Sequence, residues 1–213
     1  MIPKLHYIAN ATTASELLEN VQKACSAGIE LVQLDVQQLP KKDRLSLAQE
    51  VHKITSHFQT RLIITANYEL AKTLKADGIF LEKKDACPSL VRKQLHSWQS
   101  IGAAAHTLED CEQLIGKDVD YITLSPFKET KNTNTIALGL NGYSLIIESL
   151  NTKTPVLAYG GISEGDVTAL LEAGVSGLSI DDVITANPNS IRTFHQLLNA
   201  SSTQEMRHSF EKK

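Results

Sequence analysis

The run Pro155-Val156-Leu157-Ala158-Tyr159-Gly160-Gly161-Ile162, followed at once by Ser163-Glu164-Gly165-Asp166, decides how the rest of the chain is read. Val156–Tyr159 has the length and apolar character of a buried strand. Two glycines end it, and glycine lets the backbone take φ > 0 and lets another group approach closely. Ser163 and the acidic residues after it are helix-starting residues. A strand that breaks on glycines and restarts as a helix is one β–loop–α unit. In a βα-barrel the loops after the seventh and eighth strands commonly form an anion site from such amides and a helix N-terminus. A tight strand-to-helix turn with no ligand is the other reading of the glycine pair, and both stand at this point.

The same rhythm recurs outward from this unit. Short apolar runs at Leu5–Ile8, Leu31–Leu34, Leu62–Ile64, Gly78–Leu81, Ile101–Ala104, Tyr121–Leu124, Val156–Tyr159 and Gly177–Ile180 read as strands. Between them apolar residues recur at helical spacing: Leu17, Val21 and Ala24; Leu45, Ala48 and Val51; Val91 and Leu95; Val167, Leu170 and Leu171. Units repeating every ~25 residues predict parallel strands joined by right-handed crossovers. Eight of them predict an α/β fold, a closed (β/α)8 TIM barrel forming a single domain over residues 1–200. A doubly wound open sheet is the runner-up, and no Gly-x-Gly-x-x-Gly follows the first strand to support a dinucleotide fold. Ser125–Leu138 is a polar loop of ~14 residues, a length that in a compact barrel points to function or disorder. Residues 201–213 read as a polar tail that frays.

Composition narrows the partners. The chain has 213 residues, 42% hydrophobic and 21% charged, with a formal net charge of −3. That balance offers no electrostatic footprint for nucleic acid and no attraction to an anionic membrane. Three cysteines without CxxC spacing read as reduced thiols, small buried hydrophobes rather than a zinc site. Met1-Ile2-Pro3-Lys4-Leu5 carries no apolar signal core, and no run approaches the ~20 residues of a membrane span. The expectation is a cytoplasmic protein whose partner is a small molecule; homo-oligomerisation stays open. Trp98 is expected to pack as a spacer between helix and strand.

Several segments, in order, resemble the thiamine phosphate synthase/TenI family: Val32-Gln33-Leu34, Ala76-Asp77-Gly78-Ile79-Phe80-Leu81 with Asp85, His106-Thr107-Leu108-Glu109-Asp110, Asp120-Tyr121-Ile122 with Ser125-Pro126-Phe127, and Ala158-Tyr159-Gly160-Gly161-Ile162. The resemblance covers about residues 4–198 and implies a (β/α)8 barrel and a role in thiamine biosynthesis. Synthases of this family join a pyrimidine-methyl pyrophosphate to a thiazole phosphate and release pyrophosphate with Mg²⁺ help. The characterised TenI kind instead tautomerises a thiazole carboxylate phosphate with a histidine.

Residue by residue, the resemblance places substrate contacts at Gln33, Thr130, Lys131, Tyr159, Gly160 and Gly161. It places a metal carboxylate at Asp85 and a catalytic histidine at His106. The synthase pattern is broken elsewhere. Its Gln-x-Arg-x-Lys reads Gln33-Leu34-Asp35-Val36-Gln37, a swing of three charges toward negative. Its Asn-Asp after strand 3, whose Asp holds Mg²⁺, is Thr65-Ala66, and its serine after strand 5 is Ala104. A small neutral pair after strand 8 is Asp181-Asp182, which would repel a phosphate dianion. Bland readings stand beside these: Asp35 paired with a lysine, Asp85 as a helix N-cap, one of Asp181 and Asp182 as a cap, Lys128 or Lys131 solvated, His106 bonded to backbone with Thr107 as N-cap.

The resemblance and its breaks together imply a TenI-like protein, a thiazole tautomerase or a binder of a small heteroaromatic (thiazole or pyrimidine) ligand, with a degenerate synthase site. A non-catalytic regulatory homologue is the alternative. An active thiamine-phosphate pyrophosphorylase with rearranged contacts is the second alternative, and Mg²⁺ enters only with that chemistry.

Overall fold

The computed structural model describes residues 2–129 and 136–210. Among them eight parallel strands close into a barrel in chain order: β1 Leu5–Ala9, β2 Leu31–Leu34, β3 Arg61–Thr65, β4 Gly78–Leu81, β5 Ser100–Ala105, β6 Tyr121–Leu124, β7 Val156–Tyr159 and β8 Gly177–Ile180. The barrel closes where β1 meets β8, with His6 opposite Ser179. The open doubly wound sheet is thereby excluded. Each strand lies within a residue of its expected span, because runs of Val, Ile and Leu buried on both faces cannot be continued into the polar connections.

The helices are α1 Ala14–Ser26, α2 Lys41–His57, α3 Tyr68–Leu74, α4 Pro88–Arg92, α5 Leu108–Ile115, α6 Gly139–Ser149, α7 Val167–Glu172, α8 Asp182–Ala186 and α9 Ser190–Phe210. Short polar side chains start several of them. Thr13, Asn67 and Thr107 accept the amides of Glu16, Leu70 and Asp110, satisfying donors the first turn leaves open. α9 runs on through Phe210, so the expected tail after residue 200 continues a helix for its first part. Among the described residues no helix is long and apolar enough to cross a membrane.

Three expectations about packing change. Leu45 is 45% exposed, and α2 instead buries Leu47, Ala48, Val51 and Thr55. At about 100° per residue Leu45 sits ~100° round from the centre of that stripe. α4 ends at Arg92, so Leu95 packs on the core from the following turn rather than from the helix. Trp98 is 54% exposed and stacks on His96. The spacer is its neighbour Gln99, buried, whose amide donates to the carbonyls of Ala71 and Ala76 while its oxygen accepts the His96 amide. Of the cysteines, Cys25 and Cys111 are buried and Cys87 is partly exposed.

Strand residues alternate between two cores. Outward side chains join the helices in one large cluster. Leu31, Ile63, Phe80, Ala104, Tyr121 and Leu157 form a second cluster inside the barrel. His6 on β1 meets Tyr121 on β6 edge to face across the interior, centroids 5.1 Å apart. Gly102 makes room for that ring: a Cβ there would lie 2.0 Å from Tyr121 Cζ. The period of two along each strand places the next inward residues, two further on, at the C-terminal mouth.

Candidate functional site

One step beyond the interior cluster, the alternation places Gln33, Thr65, Glu82, His106, Thr123 and Tyr159 around the upper barrel, with Ser179 and Asp181 completing it from β8. Gln33 is buried, and its amide donates to Thr65 Oγ1 at 3.4 Å. Among the described residues its Oε1 has no partner, and the same holds for Thr123 Oγ1 and Ser179 Oγ.

His106 follows β5, where the backbone leaves the barrel. Its amide donates to Asp110 Oδ2, and Thr107 caps α5. Its Nδ1 lies 2.8 Å from the Ser125 carbonyl oxygen and 3.3 Å from Ser125 Oγ, on the residue that follows β6. Both bland features expected of it are present, and they also orient the ring.

Tyr159 ends β7, and its hydroxyl donates to Asp181 Oδ2 at 2.9 Å. Burial and then the charge of Asp181 push that phenol well above its ordinary range. Asp181 occupies the N-cap position of α8 but makes no cap bond, because its carboxylate is turned to Tyr159. Asp182 lies in the first turn of α8, and the charge of Asp181, with some burial, raises its carboxyl. Neither carboxylate caps the helix as expected. Among the described residues Asp35 pairs with no lysine; its Oδ1 accepts the Gln37 amide at 2.8 Å.

Asp85 is likewise not a helix N-cap. Cys87 occupies that position for α4, and Asp85 Oδ2 accepts the Glu82 amide at 2.8 Å, closing the turn after β4. Glu82 was not singled out from sequence, although it stands two residues beyond the inward Phe80 and strict alternation would find it. Burial raises its carboxyl, and the charges of Asp85 and Asp35 add to that while His106 opposes it. Those charges locate Glu82 between the β2 and β5 ends.

The glycine pair has φ of 101° and 68°. What approaches it closely is the chain itself. Phe127 and Lys128 donate their amides to the carbonyls of Tyr159 and Gly160. A Cβ on Gly160 would lie 3.1 Å from Pro126 Cα, and one on Gly161 2.9 Å from Lys128 Cβ. The loop after β6 is therefore seated on the pair through the Tyr159 and Gly160 carbonyls. Lys128 is drawn into an ion pair with Asp166 at 2.6 Å, beside the Ser163 and Asp166 capping box. Thr130 and Lys131 lie outside the described residues.

Mg²⁺ is the metal the resemblance implies, and the donors do not fit it. Ala66 offers no oxygen side chain, and Asp85 is committed in part to the Glu82 amide. Among the described residues no three His, Cys, Asp or Glu side chains are placed to hold a metal ion.

Residues 5–184 match the family described as thiamine monophosphate synthase. A thiamine-phosphate synthase of Flavobacterium psychrophilum is 32% identical over 202 residues, covering 92% of this chain and 98% of the relative. One of Bacteroides fragilis is 30% identical over 200 residues, covering 92% and 98%. Among solved structures, thiamine phosphate pyrophosphorylase from Pyrococcus furiosus matches with a TM-score of 0.81 at 21% identity, over 92% of this chain and 96% of that one, a likeness of fold. With barrel, motif order and relatives in agreement, the chain belongs to the thiamine monophosphate synthase family.

Proposed function

We propose that this barrel binds a small heteroaromatic ring over its C-terminal mouth and moves a proton on it through His106, in the manner of a thiazole tautomerase, within thiamine metabolism. The observation that carries the reading is the bond between His106 Nδ1 and the Ser125 carbonyl. A carbonyl oxygen only accepts, so Nδ1 holds the proton and Nε2 is the basic atom. Nε2 removes a proton from one carbon, the ring π electrons shift, and the imidazolium returns the proton at the other end. The Ser125 carbonyl and the nearby Glu82 charge stabilise the imidazolium in between.

The relatives' names point to condensation with loss of pyrophosphate, and the mouth supports that chemistry less well. Asp35 and Gln37 stand where the synthase pattern has a cationic clamp, and Ala66 where it has a metal carboxylate. Isomerisation of a thiazole carboxylate, with and without its phosphate, can be followed by NMR. His106→Asn should lower the rate by about 10²–10⁴-fold with little change in melting temperature. Condensation of both synthase substrates with Mg²⁺ at ~1 s⁻¹ would overturn the reading. Absence of isomerisation in the unaltered protein would favour a binding scaffold instead.

A further inference from the structure

We propose that Asp110 and Asp166 are positioning residues that brace the bond between His106 Nδ1 and the Ser125 carbonyl from its two ends. The inference deepens the proton-transfer reading above, and its kinetic part rests on that reading. The bond joins two connections rather than two strands: His106 follows β5 and Ser125 follows β6. Connections move more than the strands they join, so a fixed tautomer at His106 requires both to be held.

On the His106 side, Asp110 Oδ2 accepts the His106 amide at 3.0 Å, and Oδ1 takes Lys83 at 2.7 Å. Thr107 Oγ1 accepts the Asp110 amide in return, which closes the main chain around the histidine onto α5. On the Ser125 side, Asp166 Oδ2 accepts the Ser163 amide and hydroxyl at 2.8 and 2.6 Å and pairs with Lys128 at 2.6 Å. Lys128 lies three residues beyond Ser125, and its own amide donates to the Gly160 carbonyl. The two devices correspond. Lys83 comes from the turn after β4 and closes on the helix start after β5; Lys128 comes from the loop after β6 and closes on the helix start after β7. His106 and Ser125 stand between them.

The carboxylate side chains are 12% and 19% exposed, and their lysines 63% and 47%. Pairs so open at the cationic end hold little by themselves. Carboxylates that accept backbone amides make the stronger bonds. Burial favours the neutral acid at both, but the bonds from lysine, hydroxyl and amide outweigh it and keep both carboxyls below their ordinary range. A helix cap alone would not require that one carboxylate fasten the amide of His106 itself and the other the loop that supplies its acceptor.

Heteronuclear NMR of the imidazole nitrogens in mildly alkaline buffer reads the tautomer without substrate. In the unaltered protein His106 should carry its proton on Nδ1. Asp110→Ala and Asp166→Ala should each draw the two nitrogen signals toward one another as the ring loses its fixed tautomer. Asp110→Asn, which can still accept the His106 amide, should keep more of the Nδ1–H form than Asp110→Ala. In isomerisation each alanine variant should lower kcat about tenfold with KM within about twofold. The double variant should lose less than the product of the two, because both act through one bond. Thr13→Ala uncaps α1 without touching either segment and should leave both readings unchanged. Circular dichroism establishes that each variant is folded. Where an alanine variant does not fold, Lys83→Ala or Lys128→Ala opens the same brace from its exposed end and should move the signals in the same direction by less. Unchanged nitrogen signals in the variants of both braces, a proton on Nε2 in the unaltered protein, or an equal change in Thr13→Ala overturns the proposal. Because the tautomer is read without turnover, lack of isomerisation in the unaltered protein counts against the proton-transfer reading alone.

Discussion

Acidification should destabilise this barrel through a residue remote from the mouth, His6. Its side chain is buried inside the barrel, with Nε2 3.1 Å from the Pro3 carbonyl and Nδ1 without a partner. The carbonyl accepts, so the neutral ring carries its proton on Nε2, and a second proton would be buried on Nδ1 facing no acceptor. Burial lowers its pKa from 6.5 to about 3; the Pro3 bond opposes this and the Arg61 charge adds to it. A folded-state pKa below the unfolded value means that the unfolded chain binds the proton first. Stability is therefore full above pH 6.5 and is lost as pH falls from there toward 3. Between pH 7 and 5 the linkage amounts to about 2 kcal/mol, at ~1.4 kcal/mol per unit of pH. With a urea m-value near the top of the ~1–3 kcal/mol/M range, that is a fall of about 0.7 M in the unfolding midpoint. Glu82 and Asp182, whose carboxyls are raised, contribute with the opposite sign as pH falls, so the unaltered protein alone is not decisive. His6→Leu has a neutral side chain at every pH, and its midpoint should fall between pH 7 and 5 by about 0.7 M less than that of the parent, the equivalent of about 2 kcal/mol. Equal pH slopes in the two proteins would show that His6 ionises as readily folded as unfolded, and the buried-neutral argument would fail.

Other perturbations follow from the same geometry. Gly102→Ala places a methyl 2.0 Å from the buried Tyr121 ring and should cost about 3 kcal/mol or more in urea unfolding. Gly161→Ala combines φ of 68° with a methyl 2.9 Å from Lys128 Cβ, and should cost about 1–3 kcal/mol while loosening the loop after β6, read by limited proteolysis. Ala66 holds a left-handed conformation at φ 59°, which Asn tolerates better, so Ala66→Asn should raise stability by about 0.5–1 kcal/mol. Tyr159→Phe removes the donor to Asp181 and should cost about 1–2 kcal/mol, measured against Asp181→Asn in a double-mutant cycle.

The barrel was readable because its signal is carried by backbone burial rather than by individual contacts. A strand covered on both faces must be a short apolar run, and the connections around it must be polar, so β2, β4, β6, β7 and β8 begin and end where their sequences change character. Helix faces are less sharply encoded. In Leu45-Ser46-Leu47-Ala48 both leucines satisfy a helical spacing, and only the angle at which α2 meets the barrel selects Leu47. Trp98 and Gln99 show the opposite difficulty. Hydrophobicity favours burying the indole, but the carbonyls of Ala71 and Ala76 require a donor pair that the Gln99 amide supplies at one position.

At the mouth, residue identity indicated chemistry without indicating partners. Gly160-Gly161 carries the same letters whether a phosphate or the Pro126–Lys128 backbone occupies the space beside it, because both need the missing Cβ and the positive φ. Asp181 and Tyr159 lie 22 residues apart, and only closure of β7 onto β8 makes their hydrogen bond. The charge of Asp181 in turn raises the Asp182 carboxyl beside it. Lys128, the described cation seated on the glycine pair, is paired with Asp166 rather than with either of these carboxylates. Glu82, just past β4 and placed inward by strand alternation, adds its carboxyl to those of Asp35, Asp181 and Asp182 at the C-terminal ends of the strands, and, after burial and Asp85, the charge of Asp35 raises it across the gap between β2 and β4.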